Sequence, residues 1–243
     1  MRPVQVISLE RSAERRAEFR RRNPGLAFEF FKAVDGAALS AEAIAATGLF
    51  RPGLDYTVGA YGVALSHHAL WEECIRAGEP VTVAEDDAIF REDFAGAQAG
   101  MLARLPAGWD FILWGWNFDS SLSLHILPNV RTAMAFDHER LRAMLGGFAF
   151  TSAAPQPYRL EHAFGLPAYT ISPSGAKKLK ARCFPIADFT RSFTLIPEPV
   201  RNTGLDTALS NIYPGADCYV SLPPLVVTPN DRAVSTIQNG QYY

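Results

Sequence analysis

Cysteine is scarce, neither sign of charge is in surplus, and no apolar run is long enough to span a bilayer. The three cysteines, Cys74, Cys183 and Cys218, are odd in number and lack the close spacing of a metal site. Reduced thiols, some of them in the core, are therefore the expectation, with no catalytic role. A net charge of -2 gives no case for nucleic acid as the main partner. The opening MRPVQVISLE has no long apolar segment of the kind that forms a secretory leader, so the expected location is cytoplasmic. No internal repeat or flexible linker calls for two domains. What is there is a chain of 243 residues, 48% hydrophobic and 20% charged, able to bury a sizeable core as a single α/β domain over 1–243.

Strand and helix patterns alternate along the chain, which predicts a Rossmann-type central sheet flanked by helices. Val4 to Leu9 reads as the first strand. Ser12 is placed to cap a helix to about Arg22, stopped by Asn23-Pro24-Gly25. Leu26 to Ala33 reads as a second strand, and Asp35-Gly36 as a turn. Val63, His67, Leu70, Cys74 and Ala77 form one stripe of an amphipathic helix leading into the run Val81-Thr82-Val83-Ala84. Further on, Phe94 to Leu105 reads as a helix and Trp109 to Trp114 as a strand. Ala168 to Ile171 reads as another strand, with Ser172 and Pro173 opening a helix through Arg182. Asp206 to Ile212 suggests a short helix, and Cys218 to Val227 a strand interrupted at Pro223-Pro224. The stretch from Asn117 to Pro157 has no sustained period, and a mobile loop over the site is the expectation there.

The strongest chemical signal is Glu85-Asp86-Asp87, three consecutive acids behind a buried strand. Burying them unpaired would be costly, so water, a cation or a ligand in a crevice at the sheet edge is expected to meet them. If the strand runs on through the acids, Glu85 and Asp87 face one way and Asp86 the other. Two carboxylates on one side suit Mg²⁺ or Mn²⁺ without forming a complete cage, leaving water and the diphosphate of a nucleotide sugar to fill the shell. A solvated acidic turn is the plain alternative.

Segments in order along the chain resemble glycosyltransferase family 25, the lipopolysaccharide-type glycosyltransferases that are similar to collagen galactosyltransferase domains. They are VISLERSAERR at Val6 to Arg16, FKAVDG at Phe31 to Gly36, GAYGVALSHHALW at Gly59 to Trp71 and EDDA at Glu85 to Ala88. AYTISPSGAKKL at Ala168 to Leu179, LDTAL at Leu205 to Leu209 and PPLV at Pro223 to Val226 follow. The resemblance implies a GT-A fold and inverting transfer of a hexose, galactose ahead of glucose, from a UDP-sugar to a saccharide or glycolipid acceptor in lipopolysaccharide or other surface-glycan assembly.

Under that resemblance Asp87 is the first metal ligand, Glu85 the second, and Asp86 a contact to the donor ribose or sugar. Ser8, Leu9, Arg11, Arg15 and Arg16 would meet the nucleotide near a helix start that favours an anion. For most of the arginines between Arg15 and Arg22 a solvated helix face is the stronger reading. A basic face touching anionic lipid at the inner membrane is also compatible. Ser66 and His67, in the LSH motif, would shape the donor pocket, His67 in a positioning role. Gly59 and Gly62 would allow close approach to a ligand, with loop flexibility explaining them equally well. Asp206 is the candidate general base, against a helix-capping role, with Asp188 in reserve. Tyr169 is read as a core aromatic, and Lys177 and Lys178 as a solvated face. The late histidine that reaches the metal in many GT-A enzymes has no counterpart after His162. Either the shell is smaller, or a residue near Ser235 and Gln238 substitutes, or metal dependence is weak. A metal-dependent nucleotide or phosphoester hydrolase and an idle nucleotide-binding scaffold are the alternatives to transfer.

Overall fold

The computed structural model describes residues 2–229. The order is β1 (Val4–Ser8), α1 (Ala13–Arg22), β2 (Phe28–Lys32), α2 (Ala41–Ala46), α3 (Val58–Ala77), β3 (Val81–Glu85), β4 (Ile89–Phe90), α4 (Phe94–Leu102) and β5 (Phe111–Leu113). There follow β6 (Leu122–Leu127), β7 (Val130–Met134), α5 (His138–Phe148), β8 (Gln156–His162), β9 (Ala168–Ile171) and α6 (Pro173–Cys183). The last elements are β10 (Thr190–Arg191), β11 (Val200–Arg201), α7 (Leu205–Ile212), β12 (Cys218–Leu222) and β13 (Val226–Val227).

Nine strands form one sheet in the order β2-β1-β3-β9-β5-β12-β8-β6-β7. β1 pairs in parallel with both β2 and β3, whereas β9 runs antiparallel between β3 and β5. β12 returns to parallel pairing against β5 before the antiparallel run of β8, β6 and β7. The expected Rossmann-type sheet flanked by helices is thus present.

Central strands bury both faces, which is why Val81 to Ala84 is apolar without alternation. Ile7, Val81, Val83, Phe111, Leu113, Tyr169 and Ile171 pack on one side with Leu70, Trp71 and Cys74 of α3, Leu179 of α6 and Leu209 of α7. The alternate residues Val4, Val6, Ala84, Ile112 and Ala168 pack on the other with Phe19 of α1 and Phe94 and Met101 of α4. This period-2 division makes the sheet the middle of three layers. The cysteines are all free and buried.

Local signals place the helix ends. Thr57 caps α3 by accepting from the Ala60 N–H at 3.1 Å, and Gly78 ends it at φ 71°. Ser172 accepts from the Gly175 N–H at 2.9 Å with Pro173 in the first turn of α6, as the sequence predicts. Ser12 holds the N-cap position of α1 but makes no capping bond. The expected loop from 117 to 157 is instead largely regular: β6 and β7 form a hairpin at the sheet edge and α5 follows. Gly62 serves the fold rather than a ligand, because a Cβ there would stand 2.5 Å from the Val34 carbonyl oxygen and 2.8 Å from the Gly36 nitrogen. Among the described residues no helix is long and apolar enough to cross a membrane.

Candidate functional site

β1 and β3 are parallel neighbours, so their carboxyl ends open on the same edge, the place where open α/β sheets bind ligands. β1 ends at Ser8 and β3 at Glu85; Asp86 and Asp87 lie in the turn that follows. The strand therefore does not continue through the acids, and the alternation that would separate Asp86 from its neighbours does not apply.

The turn sends Asp86 inward. Its Oδ2 accepts from the Ser8 hydroxyl at 2.7 Å and its Oδ1 from Arg15 Nε at 2.7 Å. Arg16 closes the same corner, donating to the Ser8 carbonyl at 2.9 Å while its guanidinium lies 4.8 Å from the centre of the Phe30 ring. Asp86 thus ties β1, α1 and the acidic turn into one unit. Leu9 follows in a turn closed by the Ser12 N–H on its carbonyl at 3.0 Å.

Asp87 faces the opening, 30% exposed, with Arg15 Nη2 3.8 Å from its Oδ2. Thr228 donates a hydrogen bond to the Asp87 carboxylate, whereas Asp87 Oδ1 is buried with no hydrogen-bond partner among the described residues. Burial raises the Asp87 pKa, with Arg15 opposing and Asp86 adding to it. Glu85 is pushed up to about 8, first by burial, then by the charges of Asp87 and Asp206, with Arg15 pulling the other way. Asp206 of α7 is thus one of the charges that Glu85 feels. Asp206 is not the helix cap, a position held by Gly204. Its Oδ2 accepts from the Gly165 N–H at 2.9 Å and its Oδ1 from the Thr207 N–H at 2.8 Å, which fixes the carboxylate.

The other expected site residues have hydrogen-bond or ion-pair partners outside the acidic turn. Arg11 pairs with Asp35 on the surface. Ser66 accepts from the Val34 N–H at 2.9 Å and donates to the Gly62 carbonyl at 2.7 Å, binding α3 to the chain after β2. His67 is fully buried with Nδ1 2.8 Å from the Tyr169 hydroxyl, and Trp71 Nε1 donates to that hydroxyl at 2.8 Å. With the indole as donor, the phenol hydrogen is free to go to His67 Nδ1, which puts the imidazole hydrogen on Nε2. Burial drives the His67 pKa down to about 3, so the ring is neutral. Asp188 forms a two-point surface pair with Arg201 at 3.0 and 3.1 Å, away from the acids. His162 bonds Ser121 at 3.1 Å and packs on Phe193. Lys178 pairs with the buried Asp110 rather than with solvent alone. Ser235 and Gln238 lie outside the described residues.

Three positions of the site were not anticipated. Thr228 stands two residues after the PPLV segment, Gly165 supplies a backbone N–H at φ 79°, and the Asn117 side chain lies against Gly165. Only Thr228 had a sequence signal, its nearness to a family segment.

Among the described residues no group of three or more His, Cys, Asp and Glu side chains is arranged to hold a metal ion. The partnerless oxygen of Asp87 and the raised Glu85 carboxyl nonetheless suit a hard divalent ion that takes its remaining oxygens from a diphosphate and water. With Arg15 adjoining, the arrangement can hold a diphosphate, directly or through such an ion.

Comparison with known proteins identifies a family. The model of the family described as Glycosyltransferase family 25 (LPS biosynthesis protein) matches residues 1–189. A "Glycosyltransferase 25 family member" of Anopheles gambiae is 37% identical over 125 residues, 46% of this chain and 21% of that protein. One of Aedes aegypti is 38% identical over 125 residues with the same coverage. The match thus spans about a fifth of those relatives' own length. Among solved structures, A197 from STIV aligns over 99% of this chain and 100% of its own, at a TM-score of 0.39 and 11% identity, a likeness too distant to bear on the fold.

Proposed function

The chain belongs to glycosyltransferase family 25, and from that premise we propose that it transfers a hexose, galactose ahead of glucose, from a UDP-sugar to a saccharide or glycolipid acceptor with inversion. The observation that carries this reading is the acidic turn at the carboxyl ends of β1 and β3, where Arg15 lies 3.8 Å from Asp87 and Glu85 feels the charges of both Asp87 and Asp206. Arg15 faces the leaving diphosphate and stabilises charge developing on it. Asp87 and Glu85 would hold Mn²⁺ or Mg²⁺, whose contribution when bound is Lewis-acid neutralisation of the departing UDP. Asp206, held by two backbone N–H groups, takes the proton from the attacking acceptor hydroxyl on the side of the sugar opposite the leaving group. Ser8 and Asp86 keep Arg15 in place rather than touching the donor. The setting we assign is lipopolysaccharide or other surface-glycan assembly in the cytoplasm, with peripheral contact at the inner membrane face.

The test is calorimetric titration of UDP, GDP and CMP, each with and without Mn²⁺, into wild type and Asp87→Asn. Selective, Mn²⁺-enhanced UDP binding that Asp87→Asn loses is the expected outcome. Absence of nucleotide binding under every condition would overturn the donor site and favour the scaffold alternative. With UDP-galactose, sugar released to water at the same rate with or without a saccharide would favour hydrolysis over transfer.

A further inference from the structure

The geometry points to a second subsite beside the acids. Trp116 and Phe118 stack with centroids 4.9 Å apart and planes 12° apart, and Phe136 closes on them at 5.4 and 4.7 Å. Trp116 is fully buried and its indole N–H has no hydrogen-bond partner among the described residues. Phe118 and Phe136 each keep part of their surface open. Each of these two rings thus offers some apolar surface to a ligand or to solvent.

The cluster is flanked by both halves of the candidate site. On one side Asn117, between Trp116 and Phe118, receives contact from Gly165, whose N–H holds Asp206 at 2.9 Å, and the Asn117 N–H donates to the Phe164 carbonyl at 2.8 Å. On the other side Phe118 packs on the cluster of Ile89, Phe148 and Val227, the first and last of which pair between β4 and β13. Ile89 lies two residues after Asp87, and Val227 directly precedes the Thr228 that bonds it. Phe118 therefore adjoins both the segment whose N–H holds Asp206 and the strand pair that flanks the acidic turn.

A pyranose ring has an apolar C–H face that lies on an aromatic ring and a rim of hydroxyls that seek polar groups. An open aromatic surface beside a fixed carboxylate and the Asn117 amide matches both demands. We propose that Phe118 and Phe136, backed by Trp116, form the acceptor subsite and seat the apolar face of a pyranose so that a hydroxyl reaches Asp206. This rests on the glycosyl-transfer reading given above and assigns the acceptor to a region the sequence left unread.

Saturation-transfer NMR tests it with methyl β-galactopyranoside, methyl α-glucopyranoside and lactose as probes, each with and without UDP, on wild type, Phe118→Leu, Phe136→Leu and Phe136→Tyr. At least one saccharide should receive saturation on the C–H protons of one ring face. Either leucine variant should weaken it about tenfold, and Phe136→Tyr should restore it. UDP affinity by calorimetry should be unchanged in all variants. If none of the probes binds wild type, or the leucine variants bind as wild type does, the subsite is wrong. Should Phe118→Leu fail to fold, the Phe136 pair decides. UDP binding without saccharide binding sinks the subsite alone, whereas saccharide binding without UDP binding sinks the donor reading and leaves the subsite standing.

Discussion

Asp86 shows how one residue's role turns on where a strand stops. Strand alternation set it opposite Glu85 and Asp87, and the family resemblance gave it to the donor, but β3 ends at Glu85 and the turn gives both Asp86 oxygens to Ser8 and Arg15. Asp86→Ala should leave Ser8 without an acceptor and Arg15 without its closest charge, at a cost of about 2 kcal/mol in urea denaturation. A stability within about 0.5 kcal/mol of wild type, together with lost UDP affinity, would return Asp86 to the donor. His67 makes a second prediction at this scale. Its pKa of about 3 in the fold lies below the ordinary 6.5, so beneath pH 6.5 the unfolded chain binds the extra proton. The stability it contributes is whole above pH 6.5 and declines on acidification by about 1.4 kcal/mol per pH unit, until the folded pKa is reached. His162, lowered to about 4 by burial, adds to the same limb. Denaturation curves at pH 7.0, 6.0 and 5.0 should show a shallower decline in His67→Asn, whose amide can still meet the Tyr169 hydroxyl. Equal slopes in the two proteins would mean that the imidazole is not buried neutral.

Elements were legible where burial follows a period. His67, Leu70 and Cys74 of the expected stripe face the sheet and mark α3, although Val63 is only partly buried and Ala77 is exposed, and the doubly buried β3 shows as an unbroken buried run. Residues 117–157 were not legible, since β6 and β7 sit at an edge where exposed Ile126, Leu127 and Val130 spoil alternation. What the glycine at position 62 does was equally hidden, because its neighbours Val34 and Gly36 are far away in sequence. Gly62→Ala should lower stability by about 1–3 kcal/mol, although alanine is the better helix former, because backbone on both sides must move. Unchanged or increased stability in urea would show that α3 can slide. Between the sheet and α4, Thr170 Oγ1 accepts from Gln98 Nε2 at 3.0 Å and Trp114 Nε1 at 2.8 Å and meets Thr82 Oγ1 at 2.9 Å. Thr170→Val keeps the shape but strands buried donors, so a loss of about 1–3 kcal/mol is expected in the same assay. A neutral result would mean that Gln98 and Trp114 find other acceptors.

At the scale of the whole molecule, the site joins residues that share no stretch of sequence. Ser8 and Arg15 meet Asp86, Thr228 bonds Asp87, and Gly165 holds Asp206. The acids alone were conspicuous in the sequence, whereas their partners are set by strand order, which no local pattern records. Such a site exists only when β1, β3, α7 and the segment after β13 are in place together, so a ligand bound there stabilises the entire fold against unfolding. UDP with Mn²⁺ at 100 times its Kd should add about 2.7 kcal/mol, which for a domain of this size raises Tm by about 5–11 °C. Scanning calorimetry should show the shift growing with the logarithm of UDP concentration and shrinking when EDTA replaces Mn²⁺. Arg15→Ala and Asp87→Asn, compared with wild type at the same ligand concentration, should lose most of it, because each removes one side of the diphosphate contact. Arg11→Ala should keep it, since Arg11 is spent on Asp35 outside the cluster. If Arg11→Ala abolished the shift and Arg15→Ala did not, the nucleotide would lie along the start of α1 instead, and the acidic turn would no longer be its seat.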